Sequence, residues 1–265
     1  MAQLPLDWNG LDVARDQASF TKYLDVAQNH DQFQRVRQQT YALLGKAEGT
    51  GIDVGCGLGT AVDELNRAGF DVVGLDYSPV MVENARKRYP NLHFCTGNVE
   101  LLPFADKSID FYRAERVFVH LSFDQTVMAL KEAFRTLRPG GTIVLAEPDL
   151  STMALTCSDE NLPIARTIID SMCKAMPSGR AGTFLAGMLR NSGFSNVTVN
   201  ASGQVITSLE LANHLAIDLA IDSALTSGAV WPHQVESLKK DLLRLDRQYM
   251  FQFSCTAFII SGQRI

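Results

Sequence analysis

Three glycines stand at alternate positions in residues 52–60, which read IDVGCGLGT. Gly55, Gly57 and Gly59 follow a short apolar run and precede a segment with helical spacing. Glycine permits left-handed backbone and lets a ligand approach the main chain closely. Taken alone, the pattern also fits a tight turn between a strand and a helix. The loop is therefore our first candidate for a ligand site.

Two carboxylates accompany this loop. Asp53 stands just before the first glycine, and Asp76 ends the next apolar run, about twenty residues further on. An acidic residue beside the loop repels a pyrophosphate but favours an ammonium group, directly or through water. A carboxylate at the second position can accept hydrogen bonds from both hydroxyls of a ribose. The pair therefore favours a ligand with an amino-acid part and a nucleoside part.

Strands that alternate with single helices must position these residues. The apolar runs lie at 51–54, 71–75, 92–95, 108–113 and 142–147. Helical patterns separate them: one ends at Gly69, one begins with a Ser78 cap and Pro79, and one ends at residues 139–141, Pro-Gly-Gly. This alternation predicts a parallel sheet covered on both faces, with the glycine loop at its carboxyl edge.

The pattern changes after Glu147. Residues 159–176 and 208–250 are helical in character, and they are separated by GTFLAGMLRNSGF, to which we assign no element, and by a strand at 197–201. The tail FQFSCTAFIISGQ reads as a last strand, and two amphipathic helices precede the first strand. We predict an α/β fold with a doubly wound, Rossmann-like sheet of seven mostly parallel strands. Residues 1–48 form an N-terminal helical lid, 49–150 the ligand-binding core, and 151–265 the rest of the core with an inserted helical cap.

Composition limits the partners. The 265 residues carry a net charge of −5 and a pI near 5.5, which argues against nucleic acid and favours a small, uncharged or cationic ligand. We expect a cytoplasmic protein, since we find neither a leader nor an apolar run of membrane-spanning length. The five cysteines are scattered without CxxC spacing, so we predict neither a disulfide framework nor a metal site.

The segment DVGCGLGT resembles the first motif of class I S-adenosylmethionine-dependent methyltransferases. The segments VVGLDYS, CTGNVELLPF and RTLRPGGTIVLAE resemble later motifs of the same family, in the same order, across roughly residues 50–150. The resemblance implies S-adenosylmethionine as cofactor, with the loop backbone under its methionine part.

Individual roles follow from the resemblance. Asp76 would bind the ribose, Tyr77 would lie along the adenine, and Met81 would form an apolar wall. Asn98 stands where the family usually has Asp and still offers a carbonyl to the adenine amine, while the Val99 N–H would contact the ring. The implied cofactor-binding residues are Asp53, Gly55, Gly57, Gly59, Thr60, Asp76, Tyr77, Met81, Asn98, Val99, Arg113 and Ala114, the last two along the methionine arm.

Catalytic candidates lie at the ends of the fourth and fifth strands. Glu115, Arg116 and His120 follow the fourth strand, and His120 is the candidate general base because its ordinary pKa is near 6.5. The alternatives are a packed histidine, and charges that pair with each other or with the N-terminal helices. Glu147 and Asp149 would face the acceptor cavity, although PDLST at 148–152 also fits a plain turn.

The predicted function is methyl transfer to a small, largely apolar acceptor, at O, N or C, by a protein similar to quinone, sterol and specialised-metabolite methyltransferases. Such an enzyme would serve biosynthesis. Two alternatives stay open: methylation of a macromolecule, and a protein of this fold that binds the cofactor without transferring methyl, as a cyclase or regulatory module. A homodimer also stays open.

Overall fold

A computed structural model describes residues 17–45 and 49–265 of the chain. Its strands in chain order are β1 (Thr50–Val54), β2 (Asp71–Asp76), β3 (His93–Thr96), β4 (Ile109–Glu115), β5 (Leu137–Leu155), β6 (Phe194–Ile206) and β7 (Phe253–Arg264). Each predicted strand overlaps one of these, including the short segment 197–201 within β6 and the tail within β7.

Ten α-helices are described: α1 (Gln17–Asn29), α2 (Asp31–Leu43), α3 (Thr60–Arg67), α4 (Pro79–Arg88), α5 (Phe123–Thr136), α6 (Leu162–Ala175), α7 (Ala181–Asn191), α8 (Leu209–Ala212), α9 (Asp218–Thr226) and α10 (Pro232–Arg247). A single 3₁₀ turn covers Phe118–His120, and a π-helical turn covers Asn213–Ile217. The predicted start of α4 is confirmed, because the Ser78 side chain accepts a hydrogen bond from the Met81 N–H at 3.2 Å and Pro79 opens the helix.

The seven strands form one sheet in the order β3-β2-β1-β4-β5-β7-β6. The first five strands are parallel, whereas β7 runs antiparallel to both β5 and β6. This confirms the predicted Rossmann-like sheet. The order also places the ends of β1, β2 and β4 next to one another at the carboxyl edge.

Helices cover both faces of the sheet. Side chains of α2, α3 and α4 pack on one face, where Val36, Val62 and Ala85 join an apolar cluster with Phe111 and Ile259. Side chains of α5 and α7 pack on the other face against residues of β1, β4 and β5. Burial of these apolar faces is what holds the helices on the sheet.

Helices α6, α8, α9 and α10 pack together, and we call them the cap helices. Residues of α6, α8, α9 and α10 share a third apolar cluster, which also includes Ala27 of α1 and Val119. The segment GTFLAGMLRNSGF, to which the sequence assigned no element, contains all of α7 except Ala181 and packs on the sheet instead. Gly182 and Gly187 weaken its intrinsic helix propensity, and tertiary packing overrides that preference. Among the described residues, no helix is both long and apolar enough to cross a membrane.

Candidate active site

The glycine loop, residues 55–59, connects β1 to α3 at the carboxyl edge. Its glycines have left-handed backbone, with φ of 67° at Gly55, 51° at Gly57 and 82° at Gly59. The Gly55 N–H donates to the Leu75 carbonyl at 2.7 Å, which fixes the loop against β2. Since L side chains rarely adopt this backbone, glycine is favoured at all three positions.

Packing explains two of these glycines but not the third. A Cβ atom at Gly59 would lie 2.8 Å from the ring of Phe94, and one at Gly55 would lie 2.3 Å from Cγ2 of Val117. At Gly57 the nearest described atom is Cδ1 of Leu24, at an ordinary contact distance of 3.8 Å. Among the described residues, no close contact therefore requires glycine at Gly57, and its backbone is one that a ligand can approach.

Asp76 lies beside that open position. Its buried carboxylate accepts a hydrogen bond from the Gly57 N–H at 2.8 Å, through Oδ2, and from the Ser78 N–H at 2.9 Å, through Oδ1. The structure thus brings the loop and the predicted ribose-binding carboxylate together.

The predicted adenine-side residues differ in accessibility. Tyr77 is 52% exposed, whereas Met81 is buried in the first turn of α4. The side-chain carbonyl of Asn98 accepts a hydrogen bond from the Glu100 N–H at 2.9 Å. This bond closes a local turn. The Val99 side chain is buried beneath that turn. Contacts of these four residues with adenine stay predictions.

Asp53 and Arg113 form a buried ion pair, with Oδ1 and Nη1 separated by 2.5 Å. The same guanidinium donates to the Thr40 hydroxyl at 2.7 Å and to the Glu115 carboxylate. Burial raises the pKa of Asp53, and the charge of Arg113 opposes that rise. Arg113 therefore directs its side chain to α2, which leaves its backbone, and that of neighbouring Ala114, as the parts that can line a ligand.

Helices α1 and α2 attach to the start of α3. The Thr60 hydroxyl donates to the side-chain carbonyl of Gln28. Arg37 makes a bidentate ion pair with Glu64, at 2.8 and 2.9 Å, and also donates to the Gln28 carbonyl. The Tyr41 hydroxyl donates to Glu64 at 2.9 Å. Apart from Thr60, these residues were not identified from the sequence, because a helix pattern does not reveal its partner in space.

The β4 exit, residues 115–121, carries the predicted catalytic side chains. Arg116 has a φ of 58°, and its N–H donates to the Ala146 carbonyl at 2.9 Å. Its guanidinium lies over the ring of Phe33, 4.9 Å from the centroid. Glu115 pairs with Arg113, so contacts with α2 and β4 account for its charge. This arrangement favours the alternative in which Glu115 is satisfied within the protein.

His120 ends the 3₁₀ turn. Burial, with a smaller contribution from the charge of Arg116, lowers the pKa of His120 to about 3. The imidazole is therefore neutral throughout the physiological range. A group with so low a pKa is a weak base at neutral pH, so this environment favours the packed-histidine alternative over general-base catalysis.

Glu147 does not face a cavity, contrary to the expectation from its place at the end of a strand. Its fully buried carboxylate accepts hydrogen bonds from the N–H groups of Val117, Phe118 and Val119, at 2.8, 2.9 and 3.2 Å. Burial raises the pKa of Glu147 to about 7, although the three hydrogen bonds oppose the rise. Its contacts fix the backbone of the β4 exit.

Asp149 is also fully buried and engaged within the protein. Its carboxylate accepts hydrogen bonds from the Ser151 N–H at 3.0 Å, from the Ser151 hydroxyl, and from the Thr183 hydroxyl at 2.6 Å. The pairing of β5 with β7 is irregular between Asp149 and Ala154. These contacts favour the turn alternative for PDLST. Within the described ranges, no three His, Cys, Asp or Glu side chains form a candidate metal site.

Comparisons with known proteins agree with this geometry. Residues 52–145 match a family described as "Methyltransferase domain". An uncharacterised 37.1 kDa protein in transposon TN4556 of Streptomyces fradiae is 33% identical over 196 residues, 71% of this chain and 55% of that protein. A demethylmenaquinone methyltransferase of Renibacterium salmoninarum is 34% identical over 133 residues, 46% of this chain and 55% of that enzyme. The chain spans about half the length of these curated relatives.

A solved structure shares the fold across nearly the whole chain. It is a S-adenosylmethionine-dependent methyltransferase of Thermotoga maritima, described as a possible histamine N-methyltransferase. The TM-score is 0.59 at 19% identity, over 97% of this chain and 99% of the other. The strand order, the glycine loop beside Asp76 and the match over residues 52–145 together define a methyltransferase domain. Residues 52–145 therefore form a methyltransferase domain of the class I S-adenosylmethionine-dependent type, and the cofactor of such domains is S-adenosylmethionine.

Proposed function

We propose that the protein transfers the methyl group of S-adenosylmethionine to a small, largely apolar acceptor. The observation that carries the proposal is the left-handed glycine backbone at Gly57 with its N–H bonded to the Asp76 carboxylate. A glycine backbone that a ligand can approach closely, with a carboxylate beside it, suits a ligand that joins an amino acid to a nucleoside.

The residues present fit this cofactor. Gly57 has no described atom closer than 3.8 Å to the position of a Cβ atom, so a ligand can contact the loop there. The hydrogen bond from Thr60 to Gln28 joins the end of the loop to α1. When bound, S-adenosylmethionine supplies an electrophilic methyl group on a positively charged sulfur. The work of the protein is then to hold an acceptor in line and to exclude water.

An apolar acceptor is supported by the surroundings of the β4 exit. Val119 belongs to the apolar cluster of the cap, and Phe33 packs against the same cluster. The Renibacterium relative is named for methylation of a demethylmenaquinone, which favours a small-molecule acceptor here by analogy. A role in biosynthesis and a cytoplasmic location are parts of the same proposal.

Two other functions compete with this one. Methylation of nucleic acid is disfavoured by the net charge of −5, because phosphate binding needs a basic surface. A binding module or cyclase of the same fold would share every cofactor contact described above. It would differ from a methyltransferase in one respect, since it would not form S-adenosylhomocysteine when acceptors are added.

Calorimetry with S-adenosylmethionine tests the cofactor site. We expect Asp76→Ala to weaken binding by about 1.5–3 kcal/mol, the range for hydrogen bonds to a charged group. Asp76→Asn is the matched control, because it keeps one acceptor oxygen and should lose less. Unchanged affinity in Asp76→Ala, or tight binding of NAD by the wild type, would contradict the proposal.

Mass spectrometry tests the transfer itself. The full chain is incubated with S-adenosylmethionine and a panel of phenols, quinols, amines and carboxylic acids, and S-adenosylhomocysteine is measured. Formation of S-adenosylhomocysteine that depends on one acceptor class supports a methyltransferase. Binding of S-adenosylmethionine without product from any class supports the binding module instead.

A further inference from the structure

The carboxylates at the β4 exit are engaged by the protein itself. Glu115 binds the guanidinium of Arg113, and Glu147 binds three backbone N–H groups. Asp149 binds Ser151 and Thr183. The negative charges that the sequence placed at this edge therefore serve the fold. A ligand at this edge would therefore contact polar groups other than these three carboxylates.

Among the described residues at this edge, Arg116 is a cation without a hydrogen bond to a carboxylate. Its closest carboxylate oxygen among the described residues is Oε1 of Glu115, and the 4.0 Å to Nε exceeds hydrogen-bond distance. Its guanidinium stacks on Phe33, and its side chain is 26% exposed. In the part of the chain that the structure describes, no acceptor is hydrogen-bonded to this guanidinium. A guanidinium carries five donors in a planar fork that matches an anionic oxygen pair.

The backbone of Arg116 is held in an uncommon conformation. Its φ of 58° lies in the left-handed region, which disfavours a side chain by roughly 1–2 kcal/mol. The hydrogen bond to the Ala146 carbonyl and the contacts of Glu147 with the next three N–H groups hold it there. Strain maintained by its surroundings is characteristic of functional positions. Here it directs the side chain towards Phe33 of the lid.

The position of Arg116 joins three parts of the site. The next residue, Val117, lies against the glycine loop, since its Cγ2 is 2.3 Å from where a Gly55 Cβ atom would be. Phe33, under the guanidinium, packs against the cap cluster that includes Val119. Arg116 therefore lies between the proposed cofactor cradle and the apolar cap.

We propose that Arg116 binds an acidic oxygen of the methyl acceptor, a carboxylate, phenolate or enolate, while Phe33 and the cap contact its apolar body. The inference rests on the proposed function, since it names the acceptor class of the same site. It departs from the expectation of an uncharged or cationic ligand, which followed from the net charge of the whole chain. The charge around Arg116 differs from that of the whole chain, because the nearby carboxylates are neutralised or buried. A neutral imidazole at His120 adds no charge, and an ammonium acceptor would be repelled by the Arg116 guanidinium.

Matched probes test the proposal by calorimetry on the full chain saturated with S-adenosylhomocysteine. The first set is naphthoate, naphthylmethanol and naphthylmethylammonium, and the second is octanoate, octanol and octylammonium. We expect an acidic member of at least one set to bind about tenfold or more tightly than its neutral and cationic partners. Arg116→Met should abolish that preference, and Arg116→Lys should keep part of it because it keeps the charge but not the fork.

Arg138→Met is the matched control, because Arg138 is an exposed arginine that pairs with Asp110 at the opposite end of β4. It should keep the full preference. Three outcomes overturn the proposal: neutral or cationic probes that bind as well as the acids, a preference that survives in Arg116→Met, or no binding by either acid. Unchanged affinity of Arg116→Met for S-adenosylhomocysteine shows that the cofactor site is intact. Failure of the wild type to bind S-adenosylhomocysteine would instead overturn both this inference and the proposed function.

Discussion

The glycine loop and the β4 exit meet at one edge of the sheet, but their polar groups serve different purposes. At the loop, Gly57 has no side chain, and its N–H donates to the Asp76 carboxylate. At the exit, the Glu115 and Glu147 carboxylates bind protein groups, and the Arg116 guanidinium has no hydrogen bond to a described acceptor. We propose that the first region contacts the cofactor through glycine backbone and Asp76, whereas the second uses its carboxylates to hold its own chain.

This difference shows why acidic residues near a presumed reaction centre are unreliable guides to catalysis. A buried carboxylate needs several hydrogen-bond donors or a cation, and backbone N–H groups of an irregular segment need acceptors. Glu147 satisfies both needs at once, with three N–H groups of residues 117–119. The contrast between the two regions can be tested by removing the groups that maintain each.

The largest expected effect comes from Arg113, whose guanidinium connects Asp53 below the loop to Glu115 at the exit. Arg113→Met leaves the buried Asp53 and the partly buried Glu115 without this cation. We expect the free energy of unfolding to fall by about 3–5 kcal/mol, as when one partner of a buried pair is removed. Urea denaturation measures this loss.

Arg138→Met is the control for that measurement, since Arg138 pairs with Asp110 near solvent at 2.9 Å. It should cost less than about 1 kcal/mol. The double variant Arg113→Met with Asp53→Asn should recover part of the loss, because it removes one unpaired charge. Equal losses in Arg113→Met and Arg138→Met would show that the buried pair does not join the two regions.

A smaller effect is expected at the loop. Gly57→Val places a branched side chain in the ligand space, so we expect affinity for S-adenosylmethionine to fall about 100-fold or more, roughly 2.8 kcal/mol. Gly228→Val is the control for backbone strain alone, because Gly228 also has left-handed backbone, with φ of 70°, and no atom within 4 Å of a Cβ position. Calorimetry and circular dichroism are run on both. An unfolded Gly57→Val beside a folded Gly228→Val would mean that Gly57 is structural.

The sequence predicted the fold and the loop well because both depend on local rules. Strand and helix alternation specifies a doubly wound sheet, and Gly55, Gly57 and Asp76 are recognisable by type and spacing. The sequence did not reveal that Glu147 would turn towards backbone N–H groups. That contact depends on the left-handed residue Arg116. Long-range partners and irregular backbone are tertiary properties, which periodicity does not encode.

The pH dependence of stability tests the role of Glu147. In the folded protein its pKa is about 7, against an ordinary value of 4.5, so the folded state binds more protons between these values. Its contribution to stability is therefore lost as the pH rises through about 7. We expect the wild type to lose about 2 kcal/mol relative to Glu147→Gln between about pH 5.5 and pH 8.

Urea denaturation of both proteins at each pH gives this difference, in which the other titrating groups cancel. Glu147→Gln loses one acceptor at every pH, which shifts its stability by a constant amount. A difference that does not change with pH would mean that the three N–H groups keep Glu147 ionised, and the β4 exit would then be held by a permanent charge.

His120 should give a smaller effect of the opposite sign. Its pKa is lowered from 6.5 to about 3, so the unfolded chain takes up a proton as the pH falls below about 6.5 and the folded chain does not. The contribution of His120 is thus present above pH 6.5 and lost as the pH falls. We expect a loss of about 1 kcal/mol relative to His120→Gln between about pH 7.5 and pH 5.5.

Nuclear magnetic resonance of the imidazole groups tests the same point directly and without a known acceptor. The histidine signal that is missing from the His120→Gln spectrum should not titrate between about pH 5 and pH 8 in the wild type, because the ring stays neutral there. The rate of methyl transfer should correspondingly lack an acidic limb that depends on His120. A signal that titrates near pH 6.5 and disappears in His120→Gln would restore His120 as a general base, and the β4 exit would then contribute proton transfer as well as binding.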